Sequence, residues 1–202
     1  CWVNMADDGD QNNSIEKLLE LDDLEAGVPI ESLLNSKVID LIAEKAVNYG
    51  PPKSDFPSFI CEDMDVILTV TNINGLDYDI DFKSYQGGTP SRLTMHSGFY
   101  RFRLDDKEDP TSDCYYNLDL KEEEDRKLIT KAAKTTGAFP IGLKARKEKF
   151  NTKFIRQYSD SIFPDSYLGN VHPETAVITQ PYYHFVGVDG GMINNEPYGY
   201  AY

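Results

Sequence analysis

Strands interleaved with helices, rather than grouped apart from them, predict an α/β layered sheet for this chain. Three stretches carry the prediction: the apolar run "DVILTVTNINGLDYDIDF" at 65–82, a helix-ordered segment at about 118–135, and a closing apolar strand, "HFVGVD", at 184–189. With 202 residues, 40% of them hydrophobic and 12% aromatic, the chain can bury a core and suits one globular domain of ordinary size. It shows no internal repeat and no clean linker, so residues 1–202 are read as a single domain with a loop-rich insert around 83–117.

The elements follow in order. In "ADDGDQNNSIEKLLELDDL" Ile15, Leu18 and Leu19 share a helical face, and Asn13 with Glu16 has the spacing of a capping box. The same stretch has Asp8, Asp10 and Asn12 at alternating positions, as a calcium loop does. Asn13 stands where that loop needs glycine and Leu19 where it needs the bidentate Glu, which favours a solvated loop entering a helix. "PIESLLNSKVIDLIAEKAV" spaces Ile30, Leu33, Leu34, Val38, Ile39, Leu41 and Ile42 at helical intervals behind Pro29, predicting a second helix.

After Gly50, Pro51 and Pro52, the run at 65–82 predicts a buried strand, a turn at Asn74-Gly75 and a returning strand with Tyr78, Ile80 and Phe82 on one face. Residues 83–113 are irregular and are read as loops, with Tyr100 to Leu104 a candidate for one more strand. The next helix has Glu122, Glu123, Glu124 and Asp125 at its start and Lys131 and Lys134 at its end, matching the helix dipole; Leu128, Ile129, Ala132 and Ala133 form its expected buried face.

Charge and cysteine content narrow the function. A net charge of -14 argues against a general nucleic-acid binder, because phosphate backbones are held by Lys and Arg, and on average an anionic membrane repels such a chain. Cys1, Cys61 and Cys114 are odd in number and widely spaced, which indicates neither a disulfide framework nor a zinc site and suits a reducing, cytoplasmic compartment. Lys144, Arg146, Lys147, Lys149, Lys153 and Arg156 form a basic stretch that reads as a solvated face or as a peripheral contact with an anionic lipid surface.

Asp189 is the candidate site residue. It ends an apolar strand, and Gly190-Gly191 lets the backbone turn or approach a neighbour closely. Asn195 is placed to cap a following helix with Pro197 in its first turn. A carboxylate fixed on such a turn suits a general base, and equally suits a turn-capping role; spacing alone leaves both open.

"VDGGMINNEPYG" at 188–199 resembles the DGG motif of patatin-like phospholipases, and "AAKTTGAFPIGL" at 132–143 resembles that family's upstream "SGAFP" segment. The resemblance extends more loosely through 65–82 and the leading helices, and covers 83–117 and 147–180 poorly. It implies a layered α/β/α sheet and a lipid acyl hydrolase with a Ser-Asp dyad, in which serine attacks a lipid or small ester carbonyl and the DGG aspartate, here Asp189, is the base. Gly190, Gly191, Asn194 and Asn195 would shape and hold that turn. Such a dyad calls for no metal, no organic cofactor and no histidine, so His184 is read as structural and His96 and His172 as loop residues. The 202 residues contain no GxSxG nucleophile elbow and no glycine-rich oxyanion loop. The chain is therefore expected to be a portion that supplies the dyad aspartate only and is inactive by itself, or else a non-catalytic interaction module on the same fold.

Overall fold

The computed structural model describes residues 27, 29, 31–48, 64–81, 91–104, 116–155 and 170–193. The expected first helix near Ile15, the calcium-like loop, all three cysteines, Asn194 and Asn195 lie outside those residues.

Helix α1 (Ser36–Val47) starts later than the spacing behind Pro29 predicts, because Asn35 is its cap: the Asn35 side chain accepts from the Lys37 N–H at 3.0 Å. At the other end the Asn48 side-chain amide donates to the Glu44 carbonyl at 2.8 Å. Val38 is buried with Ile39 and Ile42 against it, whereas Leu33 and Leu41, expected on the same face, are exposed.

The sheet has six strands: β1 (Met64–Asp81), β2 (Ser91–Leu104), β3 (Tyr116–Leu118), β4 (Arg146–Asn151), β5 (Asn170–Pro173) and β6 (Tyr182–Asp189). Their order is β3-β2-β1-β6-β4, with β5 also beside β1. All pairings are antiparallel except β2 with β3. The chain is thus a mixed α/β structure.

Two expectations are corrected here. Asn74-Gly75 is not a hairpin turn; β1 runs straight through it, and the register against β2 shifts between Thr71 and Leu76. Asn-Gly chemistry serves a bulge as well as a hairpin, since both need a residue at positive φ, and Gly75 has φ 74°. The bulge is pinned locally: the Asn72 side chain accepts from the Gly75 N–H at 3.1 Å and donates to the Tyr183 hydroxyl at 2.9 Å. The Tyr183 hydroxyl in turn donates to the Gly75 carbonyl at 2.5 Å. Secondly, much of the supposed loop insert at 83–117 is strand, because Ser91–Leu104 pairs along almost the whole of β1. His96 and His172 accordingly sit in β2 and β5 rather than in loops.

The core is built around aromatic side chains of β2, β4 and β6. Phe99, Tyr100, Phe102, Phe150, Phe154 and Phe185 are buried together, with Tyr100 edge-on to Phe150 at 4.9 Å and Phe150 4.7 Å from Phe185. Each such ring contributes about 1.5–3 kcal/mol by leaving water. Helix α2 (Glu123–Thr136) packs on the sheet, with its acidic first turn and Lys134 in its last as the dipole prefers. Its buried residues are Thr130, Ala132 and Thr135, with Leu128 and Ile129 partly buried; Ala133, expected inside, is exposed. Of the inward hydroxyls, Thr135 serves a buried polar network centred on Glu148, and Thr130 donates back to the Arg126 carbonyl at 2.6 Å.

Candidate functional site

Asp189 is the last residue of β6, and a single 3-10 turn, Gly190–Met192, follows it. Its backbone is tied on two sides. The Asp189 N–H donates to the Ala138 carbonyl at 3.0 Å, and the Thr71 hydroxyl donates to the Asp189 carbonyl at 2.8 Å. The side chain is half-buried, and its Oδ1 accepts from the Gly191 N–H at 2.9 Å, capping the turn. Among the described residues Oδ2 has no hydrogen-bond partner.

Gly190 is required by close approach. A Cβ there would lie 2.2 Å from Thr69 Oγ1 and 2.3 Å from the Thr69 carbonyl oxygen. Gly187, earlier in β6, meets the same constraint, since a Cβ there would lie 2.6 Å from Thr135 Cγ2. Glycines at these two places let β6 and its terminal turn sit directly on β1 and α2. The segment 132–143, which ends α2 and turns through Phe139 and Pro140, therefore meets the strand end at Ala138. Ile141 in that turn has φ 70°, a left-handed conformation that is strained for a β-branched residue, and it is 75% exposed.

Of the other residues singled out by sequence, Gly191 is exposed, and Asn194 and Asn195 lie outside the described residues. His184 is exposed on β6 opposite Lys149 of β4. The basic stretch 144–156 contains β4, an outer strand of the sheet order, with the Lys149 ammonium 4.4 Å above the Tyr182 ring. Arg146 makes a two-point ion pair with Asp40 of α1, at 2.6 and 3.0 Å.

One polar centre escaped the sequence reading. Glu148, the lone acid within "KARKEKF", is only 3% exposed. Its Oε1 accepts from the Thr135 hydroxyl at 2.7 Å, and its Oε2 accepts from the Tyr100 hydroxyl at 2.8 Å and the Lys131 ammonium at 3.0 Å. A buried carboxylate is tolerable only when so engaged. Burial first, and then the adjacent Glu148 charge, hold the Tyr100 hydroxyl well above its ordinary titration range, so it remains a donor. The available signal was alternation: Glu148 and Phe150 fall on one face of a strand, with Lys147 and Lys149 on the other.

Among the described residues no helix is long and apolar enough to cross a membrane, and no group of three His, Cys, Asp or Glu is placed to hold a metal ion.

Comparison with known proteins adds little to this geometry. No family model matches the chain, and no solved structure matches it. The chain is similar to the uncharacterized protein y4iI of Sinorhizobium fredii (strain NBRC 101917 / NGR234), with 27% identity over 211 residues that cover 91% of this chain and 29% of that protein. It thus spans less than a third of that relative's length.

Proposed function

We propose that Asp189 is the proton acceptor of a Ser-Asp dyad in a patatin-like lipid acyl hydrolase, of layered α/β/α type, whose nucleophilic serine comes from polypeptide other than these 202 residues. The observation that carries the reading is a half-exposed carboxylate whose backbone is fixed on both sides and whose Oδ2 has no described partner. It is strengthened by the contact between the two stretches that resemble the family, through Asp189 N–H to the Ala138 carbonyl at 3.0 Å.

In this mechanism Oδ2 takes the serine hydroxyl proton as Oγ bonds to the ester carbonyl carbon. The carbonyl carbon–oxygen bond to the alcohol breaks, and the proton held on Asp189 passes to the departing alkoxide. A water then gives its proton to the same carboxylate and attacks the acyl-serine, releasing the fatty acid and restoring serine. The substrate class is a lipid or small carboxylic ester, met at a peripheral lipid surface, and no metal or organic cofactor takes part. These 202 residues supply only the base and are inactive alone.

A second reading, a non-catalytic patatin-like interaction module, is favoured by the bond from Gly191 N–H to Oδ1, which gives Asp189 a turn-capping role that needs no chemistry. Fluorophosphonate labelling of a longer polypeptide carrying these residues separates the two. The hydrolase reading expects one labelled serine and loss of labelling in Asp189→Ala; labelling that persists unchanged in the variant defeats it.

A further inference from the structure

A cleft of about 770 Å³ lies away from Asp189, between α2, the carboxyl end of α1 and the outer strand β4. Its size is that of a small-molecule site. Helix α2 lines it with Arg126, Lys127, Lys131 and Lys134, α1 with Glu44, and the cap after α1 with Asn48. Spacings of four and three place Lys127, Lys131 and Lys134 on one helical face, with Arg126 next to Lys127.

In a chain of net charge -14 such a surface runs against the average. The carboxylates that line it are already paired, Glu123 with Lys127 at 2.9 Å, Glu148 with Lys131 at 3.0 Å and Glu44 with Lys134 at 3.5 Å, and Glu124 is a second partner of Lys127 at 2.9 Å. Arg126 differs. Its guanidinium is held by neutral acceptors, the Leu120 and Lys121 carbonyls at 2.7 and 2.6 Å and Asn48 Oδ1 at 3.2 Å. Among the described residues no carboxylate forms an ion pair with it; Glu123, which also lines the cleft, feels its charge only at longer range. Lys127 and Lys131 are 59% and 45% exposed. An ammonium has three donors; Lys131 uses one of them, on Glu148, and that buried carboxylate fixes where the ammonium stands.

We propose that this cleft binds a phosphate-type dianion, free or as a phosphomonoester headgroup, through Arg126, Lys127 and Lys131, with Glu148 as the positioning residue for Lys131. Doubly charged, multiply accepting oxygens match a cluster of charged donors better than a carboxylate or a neutral ligand does. The site is independent of the Asp189 reading.

The test titrates inorganic phosphate, at a pH where it is mainly the dianion, into the full chain at constant ionic strength, by calorimetry and thermal melting. Saturable binding with a rise in Tm is expected, weakened about tenfold in Lys127→Gln and in Lys131→Gln and unchanged in the control Lys149→Gln. Lys127 is an exposed surface residue, so its variant remains informative if Lys131→Gln does not fold. Flotation with phosphatidate vesicles, against phosphatidylcholine vesicles, tells a headgroup from a free phosphate; binding in either arm that depends on Lys127 supports the site. Absence of saturable binding in both arms, or binding that Lys127→Gln leaves unchanged, overturns it.

Discussion

Replacing Gly190 by alanine tests why a glycine stands directly after Asp189. The added Cβ would lie 2.2, 2.3 and 2.4 Å from the Thr69 hydroxyl oxygen, carbonyl oxygen and carbonyl carbon. Two of those three atoms are backbone of β1, which pairs with β2 at Thr69↔Phe99 and whose Thr69 carbonyl accepts from the Thr136 hydroxyl at 2.6 Å. The strand cannot withdraw without disturbing both, so the turn itself must lift. Overpacking of this kind costs about 1–3 kcal/mol, and lifting the turn gives up the Thr71 hydroxyl bond to the Asp189 carbonyl, which adds about 1 kcal/mol. A total of about 3 kcal/mol lowers Tm by about 6–12 °C in a domain of this length. Thermal melts and urea titrations followed by circular dichroism measure it. Gly191→Ala, at the exposed neighbouring position, is the control and should stay within about 0.5 kcal/mol of wild type. A Gly190→Ala protein as stable as that control would refute the close-packing explanation of the motif.

Three other perturbations have expected outcomes. Ile141→Gly removes a left-handed strain of about 1–2 kcal/mol and gives up little packing from a 75% exposed side chain, so a net gain of about 0.5–1 kcal/mol is expected in urea titration; a loss would contradict it. Glu148→Ala strands the buried Tyr100 and Thr135 hydroxyls and should cost about 3 kcal/mol, with Glu148→Gln less damaging because an acceptor oxygen remains; equal losses would show that the hydrogen bonds do not matter. Asp65 is pushed up by partial burial but pulled further down by hydrogen bonds and charge from Arg103 and Arg101, so its carboxyl titrates below the ordinary 3.8. Its folded-state pKa being depressed, the stabilisation is present above about pH 4 and is lost as pH falls below it. Asp65→Asn should therefore lower Tm at pH 7 and leave a shallower fall in stability below pH 4; an unchanged acid limb would be the contrary result.

Particular residues show how far the sequence could be read. Helix α2 was legible because its charge order and apolar spacing are both local properties, and β6 because a short apolar run ending in Asp-Gly-Gly has few alternatives. Residues 91–104 were not legible as strand: "SRLTMHSGFYRFRL" is polar at its first half, where it is exposed, and the pairing partner that makes it a strand is β1, earlier in the sequence. Asn74-Gly75 carried a true signal for positive φ, but hairpin and bulge satisfy that signal alike, and only the long-range pairing chooses between them. The position of Asp189 at a strand end was readable from composition. The bonds that fix it, from Thr71 and to Ala138, join residues far apart in sequence and leave no local trace. Glu148 was hidden by its basic neighbours, whose side chains occupy the other face of β4.

The most direct measurement concerns Asp189→Asn in a polypeptide that hydrolyses an ester. The amide oxygen keeps the acceptor for Gly191 N–H, so the turn and Tm are expected to be preserved, while the group can no longer take a proton. Ester hydrolysis should fall by about a hundredfold or more at unchanged Tm. Hydrolysis that survives in this variant would leave Asp189 as the cap of a turn and nothing else.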